Sequence, residues 1–213
     1  MIKDIFKGPV FDFLINESKT NRDGWGGCCG SIDGISDENL SYSKKGNEFI
    51  QSVLLDVNPY NILETGTNYG SFGYTCYETL SDFNLYTCDN HIDNNSERCI
   101  NFINSHYNRD NIKYHNKDSL KFLKEIIDDG KIQFDLAWLD SKHTYSHLLG
   151  ELNMANELNI PYIMVDDFHH HRDIQQAIFD FLKFEEDWRI HSYNGVKYWI
   201  GSVILLYDIN YDN

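Results

Sequence analysis

An apolar segment that ends in an acid and a glycine-rich turn restricts the fold of this chain more than any other feature. Ile62 and Leu63 precede Glu64, and glycines follow at Gly66 and Gly70. Glycine at such positions lets the backbone approach a ligand closely. A dinucleotide site would need Gly-x-Gly-x-x-Gly, whereas this chain has Glu-x-Gly-x-x-x-Gly. The spacing therefore predicts a strand-to-helix turn for a nucleoside cofactor without phosphates, and it disfavours an NAD-dependent oxidoreductase.

The region after residue 60 alternates short β-type runs with longer helical patterns, which is typical of a parallel sheet covered by helices on both faces. The predicted strands lie near residues 61–65, 84–89, 112–115, 134–139 and 161–166. The predicted helices between them lie near residues 72–80, 95–107, 118–129 and 145–158. A helix and two strands follow, and Asn194-Gly195 is expected to join those strands as an antiparallel hairpin. The sequence thus predicts a doubly wound, mostly parallel α/β sheet.

The 213 residues are enough for one domain with a single core. Residues 1–42 are rich in glycine around Trp25 and are expected to form a loop, either a lid or cap over the site or a surface meander. Residues 43–213 are expected to form the main domain, beginning with a helix over 43–57 that packs beside the first strand.

Charge and cysteine usage exclude several classes of protein. The formal net charge of −15 opposes binding to nucleic acid or to an anionic membrane surface. The N-terminus lacks the apolar run of a signal peptide, and no apolar stretch is long enough to span a membrane. Five cysteines without Cys-x-x-Cys spacing indicate reduced thiols. We therefore expect a cytoplasmic protein with a small-molecule partner, and the sequence leaves a homo-oligomer open.

Several residues are candidates for holding the cofactor. Asp89 would end the second strand, where its two carboxylate oxygens can accept hydrogen bonds from ribose hydroxyls. Glu64 and Thr67 belong to the glycine turn, and Glu64 would lie near the positive end of the cofactor. Asp118 and Ser119 follow the third strand and are typical of a capped helix start.

Two further predicted strands end in acids. Asp140 follows one of them, and Asp166 and Asp167 follow the other. Because the carboxyl ends of neighbouring parallel strands meet at one edge, we expect these side chains to cluster near the cofactor. Three close carboxylates repel unless they are protonated or bridged by a cation, and all-oxygen ligation favours Mg²⁺, although Mn²⁺ or Ca²⁺ also fits the ligand type. The alternative is an acid-rich loop in an acidic protein.

Histidines flank these acids. His143 follows Asp140 at the spacing Asp-x-x-His and is the candidate general base, because imidazole can accept a proton from a hydroxyl near neutral pH. His169, His170 and His171 come directly after the acid pair. Consecutive residues point in different directions, so these three are not predicted to share a metal site, although one of them could contact substrate.

These motifs resemble those of a known enzyme family. The glycine turn resembles the first motif of class I S-adenosylmethionine-dependent methyltransferases. Asp140-Ser-Lys-His143, Asp166-Asp167 and the segment 176–181 resemble the metal-dependent, macrocin-type O-methyltransferases of macrolide sugars, and more distantly the catechol type. That family often has Asp-Gly-Asp-His where this chain has Asp-Ser-Lys-His.

The resemblance implies a seven-stranded, Rossmann-like methyltransferase sheet with S-adenosylmethionine as cofactor. It also implies Mg²⁺ at Asp140 and Asp167, His143 as the base, and Asp118 and Ser119 near the adenine. The predicted function is methyl transfer to a hydroxyl of a small polar acceptor, preferably a sugar or glycosylated metabolite, with a divalent metal positioning the acceptor. The alternatives are a catechol-type phenol O-methyltransferase and a non-catalytic cofactor-binding module.

Overall fold

The protein was analysed as a computed structural model, which describes residues 2–20, 37–90, 95–168, 171–195 and 201–207. The described helices are α1 (Pro9–Thr20), α2 (Asp37–Val57), α3 (Ser71–Thr79), α4 (Asn95–Tyr107), α5 (Ser119–Asp129), α6 (Tyr145–Glu157) and α7 (Arg172–Phe184). The described strands are β1 (Asn61–Thr65), β2 (Asn84–Asp89), β3 (Ile112–Asn116), β4 (Leu136–Leu139), β5 (Tyr162–Val165), β6 (Trp188–Gly195) and β7 (Gly201–Tyr207).

The strands form one sheet in the order β3-β2-β1-β4-β5-β7-β6. The five strands from β3 to β5 are parallel, and β7 runs antiparallel to both β5 and β6. The predicted α/β fold with a mostly parallel sheet is confirmed. The chain order reverses at β1, which lies between β2 and β4, and open α/β sheets bind ligands at such a switch point, beyond the carboxyl ends of the strands.

Two predictions from the sequence differ from the structure. The predicted antiparallel pairing of the last two strands is confirmed, but Asn194 and Gly195 pair with Ser202 and Gly201 inside the ladder, so the connection lies in residues 196–200, outside the described part. Helix α1 was not predicted, because the glycine cluster that follows it dominated the interpretation of residues 1–42. The glycine cluster itself lies outside the described residues, so the lid remains a prediction.

The sheet is covered on both faces, which explains why the central strands β4 (LAWL) and β5 (YIMV) carry no charged residue. Successive residues of β1 face opposite sides: Ile62 packs with the buried residues of α1 to α4, whereas Leu63 packs with those of α5 to α7. Helix α7 shows why these helices form where they do. Its buried residues are Ile174, Ala177, Ile178 and Phe181, the spacing of one helical face.

Capping residues set the ends of α5. Asp118 lies just before the helix and its carboxylate accepts a hydrogen bond from the backbone N–H of Leu120 at 3.2 Å, as the sequence predicted. Gly130 ends the helix in the left-handed conformation. Within the described residues, no helix is both long and apolar enough to cross a membrane.

Candidate functional site

The glycine turn after β1 is fixed by contacts within the protein. The N–H of Gly66 donates to the carbonyl of Cys88 at 2.9 Å, and its φ is +89°. A Cβ at this position would lie 1.8 Å from the backbone oxygen of Asp140. A Cβ at Gly70, whose φ is +77°, would lie 2.8 Å from Cδ1 of Ile100. Other groups therefore approach the backbone of the turn closely, as expected. In the described structure these groups belong to the end of β4 and to helix α4.

Glu64 lies at the carboxyl end of β1 and is 1% exposed. Its Oε2 atom is buried and has no hydrogen-bond partner among the residues that the structure describes. Burial, with a smaller contribution from the charge of Asp89, raises the pKa of Glu64 to about 8, even though a hydrogen bond from Thr87 acts in the opposite direction. A cationic ligand next to this buried carboxyl group would lower its pKa and favour the ionised form.

The end of β2 is joined to the turn by hydrogen bonds. A carboxylate oxygen of Asp89 accepts from the N–H of Asn68 at 2.7 Å, and Asn68 itself has a positive φ of 47°. Thr67 is buried, and its hydroxyl lies 2.5 Å from that of Thr87. Asp89 thus stabilises the turn directly, in the position predicted for a ribose ligand, and its role towards a ribose remains a prediction.

One pocket lies at this edge of the sheet. Its lining combines residues of the glycine turn and α3 with acids from the ends of β4 and β5: Glu64, Gly66, Thr67, Asn68, Ser71, Phe72, Trp138, Asp140 and Asp166. The rings of Phe72 and Trp138 stack with centroids 5.1 Å apart. The two groups of predicted site residues therefore meet in the same cavity.

His143 connects the two acid-bearing strand ends. Its Nε2 atom lies 3.4 Å from Oδ1 of Asp140 and 3.1 Å from Oδ2 of Asp167. The imidazole of His171 lies beside it, with ring centroids 4.6 Å apart, and Nε2 of His171 is 3.9 Å from the same Asp167 oxygen. Asp167 has a φ of 59°, an uncommon backbone conformation that is often found at functional sites.

Burial and mutual repulsion act on the acids around His143. Burial raises the pKa of Asp140 well above its usual range, and the negative charges of Asp167, Glu64 and Asp89 add to the shift. Burial, together with the charges of Asp140 and Asp167, likewise raises the pKa of Asp166 well above its usual range. A cation close to these carboxyl groups would oppose both shifts.

The acids of the predicted metal site do not all point at one spot. Oδ1 of Asp166 accepts a hydrogen bond from the N–H of Asp167 at 2.8 Å. In the described part of the chain, one group of three potential ligand side chains converges, with all ligand atoms within 4.8 Å of one another: His143, Asp167 and His171. Metal binding by Asp140 and Asp166 stays a prediction.

The sequence analysis missed the position of His171. It lies just before α7, and its N–H contacts the carbonyl of Asp167 at 3.3 Å, four residues back. This spacing of four residues brings the side chains of His171 and Asp167 together. The spacing is visible in the sequence and could have predicted the contact, but the three consecutive histidines were considered as one group. His169 and His170 lie outside the described residues.

The middle residues of the Asp-Ser-Lys-His motif point away from this cluster. Nζ of Lys142 donates to Asp118 at 3.1 Å, and Oγ of Ser141 donates to buried Glu151 at 2.6 Å. The hydrogen bond and the positive charge of Lys142 hold the pKa of Asp118 below its ordinary value even though burial opposes this.

Ser119 belongs to the same group of buried polar residues. Its hydroxyl lies 2.7 Å from Nε2 of His147. Burial lowers the pKa of His147 and raises that of Glu151, so both side chains favour their neutral forms in this network. Ser119 thus has a described structural role, and its predicted contact with an adenine remains a prediction.

Comparison with known proteins identifies the fold. No protein-family model and no curated protein matches the chain. Among solved structures, an O-methyltransferase from Bacillus cereus in complex with S-adenosylhomocysteine aligns over 96% of this chain and 93% of its own, with 17% identity and a TM-score of 0.67. The O-methyltransferase TomG from Streptomyces achromogenes, involved in tomaymycin synthesis and bound to S-adenosylmethionine, aligns over 95% and 91%, with 15% identity and a TM-score of 0.66.

A methyltransferase from Podospora anserina, bound to S-adenosylhomocysteine, is similar to the same degree. It aligns over 95% of this chain and 89% of its own, with 16% identity and a TM-score of 0.66. The described sheet and its helices therefore have the Rossmann-like fold of S-adenosylmethionine-dependent O-methyltransferases. The narrower resemblance to the macrocin type stays a prediction.

Proposed function

We propose that this protein transfers a methyl group from S-adenosylmethionine to a hydroxyl of a small polar acceptor, preferably a sugar or glycosylated metabolite. The observation that carries the proposal is that the glycine turn and the acids Asp140 and Asp166 line the same pocket. A donor bound at the glycine turn would therefore lie next to an acceptor bound at the two acids. The acidic net charge of −15 favours a small molecule over nucleic acid as acceptor.

The donor half of the proposal rests on Glu64. A buried carboxylate oxygen without a partner favours a cationic ligand, and S-adenosylmethionine carries both a sulfonium and an amino group. Gly66 and Thr67 would line the cofactor, and Gly70 would hold the turn in place. Asp89 would accept from the ribose, with Asp118 and Ser119 nearer the adenine.

The acceptor half rests on the contact between His143 and Asp140. The acceptor oxygen forms a bond to the methyl carbon as the bond from that carbon to sulfur breaks, and S-adenosylhomocysteine leaves. The hydroxyl proton passes to the His143–Asp140 pair, in which Nε2 of His143 lies 3.4 Å from Oδ1 of Asp140. Holding donor and acceptor in line can contribute about 7 to 11 kcal/mol by the effective-molarity argument. A divalent cation at the acid cluster is part of the proposal and would position the acceptor.

A methyl-transfer assay tests the proposal. Purified protein is given labelled S-adenosylmethionine and a panel of sugars, sugar nucleotides and phenols, with and without a chelator. We expect transfer to a hydroxyl of a sugar-type acceptor. Transfer only to catechols would favour the phenol-directed alternative. Tight binding of S-adenosylhomocysteine with no transfer to any acceptor would contradict an enzyme and favour a binding module.

A further inference from the structure

We propose that His143, Asp167 and His171 form a binding site for a first-row transition-metal ion, such as Zn²⁺ or Co²⁺, in preference to Mg²⁺. The inference deepens the proposed function, because it names the kind of cation at the same site. It rests on that function only for its biological use, since metal binding is measured without cofactor or acceptor.

The geometry of the three side chains fits one ion. Oδ2 of Asp167 lies between the two imidazoles, 3.1 Å from Nε2 of His143 and 3.9 Å from Nε2 of His171. All the ligand atoms of the group lie within 4.8 Å of one another. An ion about 2.0 to 2.2 Å from each ligand holds neighbouring ligand atoms roughly 3 to 3.6 Å apart. Small side-chain rotations therefore suffice to bind it.

The donor set decides which ion fits. Two imidazole nitrogens and one carboxylate suit Zn²⁺, Co²⁺, Fe²⁺ or Ni²⁺, which bind nitrogen readily. Mg²⁺ requires oxygen ligands in near-ideal octahedral geometry and keeps several waters. Because the convergent group contains more nitrogen than oxygen, it does not fit the Mg²⁺ site that the sequence predicted.

The surroundings of the group favour a cation. Asp140 contacts the same nitrogen of His143, and Asp166 precedes Asp167 directly, so further negative charge is available. The nearest lysine of the motif, Lys142, pairs with Asp118 instead. Among the described residues, the ion pairs to Asp140 and Asp167 come from His143 and His171 alone. The side chains of His143 and His171 are 35% and 43% exposed, which leaves the group open to an ion from solvent.

The proposed site changes the role of His143 when the ion is present. A nitrogen that binds a metal no longer accepts a proton. Of the His143–Asp140 pair, Asp140 would then be the group left to accept the proton of the acceptor. His143 and His171 act as ligands in this state, with Asp167 between them.

Co²⁺ absorption provides the test. Protein freed of metal by a chelator is titrated with Co²⁺, and the visible absorption bands report nitrogen ligation and coordination geometry. We expect one Co²⁺ ion to bind per chain and one equivalent of Zn²⁺ to displace it. Mg²⁺ at about 1000-fold excess should not displace it, because imidazole nitrogens bind transition-metal ions in preference to Mg²⁺. Displacement by Mg²⁺ at comparable concentration would overturn the inference.

Variants identify the ligands. His171→Ala should weaken Co²⁺ binding by at least about 10- to 100-fold, the loss that even indirect disruption of a metal site produces. His191→Ala is the matched control, because His191 is an exposed histidine on β6, and it should bind like the unaltered protein. Circular dichroism verifies folding, and His171→Gln serves as a second variant if the alanine form does not fold. Unchanged binding in folded His171 variants would overturn the inference.

The outcome is separable from that of the proposed function. A protein that binds Co²⁺ as described but transfers no methyl group would refute the function and leave the metal site standing. A protein that transfers methyl groups at full rate after chelation, with no Co²⁺ bands on titration, would refute the metal site alone.

Discussion

The candidate site has two halves, the donor half around the glycine turn and the acceptor half around His143, and they are built differently. The half around Glu64 and Gly66 is buried and is held by backbone hydrogen bonds and close packing against β4. The half around His143 and Asp167 is partly exposed and is held by contacts between side chains. Packed backbone tolerates little change, whereas a side-chain cluster can rearrange around an ion or a substrate. The comparison suggests a rigid donor half and an adaptable acceptor half.

The largest effect on activity should come from the acceptor half. In protein without a bound ion, where His143 is free to act as the base, His143→Ala should lower the rate of methyl transfer by about 10²- to 10⁴-fold, the usual contribution of a positioned acid–base group. The free energy of unfolding should change little, because the side chain is 35% exposed. His106→Ala is the control for loss of an imidazole elsewhere. A rate within twofold of the unaltered protein would remove His143 from the chemistry.

The largest effect on stability should come from the donor half. Gly66→Ala places a Cβ against the backbone oxygen of Asp140, at a separation of 1.8 Å before relaxation. We expect a loss of about 3 kcal/mol or more in the free energy of unfolding, from backbone strain and this clash together. Urea denaturation measures it.

Gly8→Ala is a matched control for that substitution. Its φ of +92° is close to the +89° of Gly66, but nothing lies within 4 Å of its added Cβ. The strain is thus similar and the clash is absent, so the difference between the two variants measures the packing of β1 against β4. Equal losses would mean that the donor half is no more tightly packed than the N-terminal segment.

Removing the charge of Glu64 should affect cofactor affinity more than stability. Glu64→Gln keeps the shape of the protonated side chain, which is the favoured form in the free protein below about pH 8. Affinity for S-adenosylmethionine should fall about 10- to 100-fold, as expected for loss of a charged hydrogen bond of roughly 1.5 to 3 kcal/mol. Calorimetry measures this, with the exposed Glu125→Gln as control. Undiminished affinity would place the cationic end of the cofactor elsewhere.

The same residue makes cofactor affinity depend on pH. Burial raises the pKa of Glu64 to about 8, and the cationic donor requires the ionised carboxylate. Affinity should therefore rise about tenfold per pH unit as the pH increases towards 8 and level off above it, with release of a proton on binding below that pH. Calorimetry in buffers of different ionisation enthalpy detects this proton. Glu64→Gln should abolish the dependence, and its persistence in that variant would assign the proton to another group.

The smallest effect should come from Lys142, which lies between Asp140 and His143 in sequence but whose side chain pairs with Asp118. Lys142→Ala removes its 3.1 Å contact with Asp118 and should cost about 1 kcal/mol or less, because the lysine is 54% exposed. Methyl transfer should stay within about twofold of the unaltered rate, since this cost does not fall on the reacting groups. A loss above tenfold would show that the lysine contacts substrate or cofactor.

The same contrast explains what the sequence could predict. The strands β1 and β2 and helix α4 lie where periodicity placed them, because apolar pattern and length determine such elements. The meeting of the turn with Asp140 followed from parallel-strand topology. The position of His171 beside Asp167 did not follow, because it depends on the contact between the N–H of His171 and the carbonyl of Asp167. The prediction of a turn at Asn194-Gly195 was wrong, because both residues pair inside the sheet and this pairing outweighs their local preference for a turn.

A crystal structure with bound S-adenosylhomocysteine tests the central claim most directly, since that claim is one pocket shared by the donor and acceptor halves. We predict that the amino group lies within hydrogen-bonding distance of Glu64 and that the sulfur faces Asp140 and His143. A cofactor bound away from Gly66, or a sulfur pointing away from His143, would contradict the account.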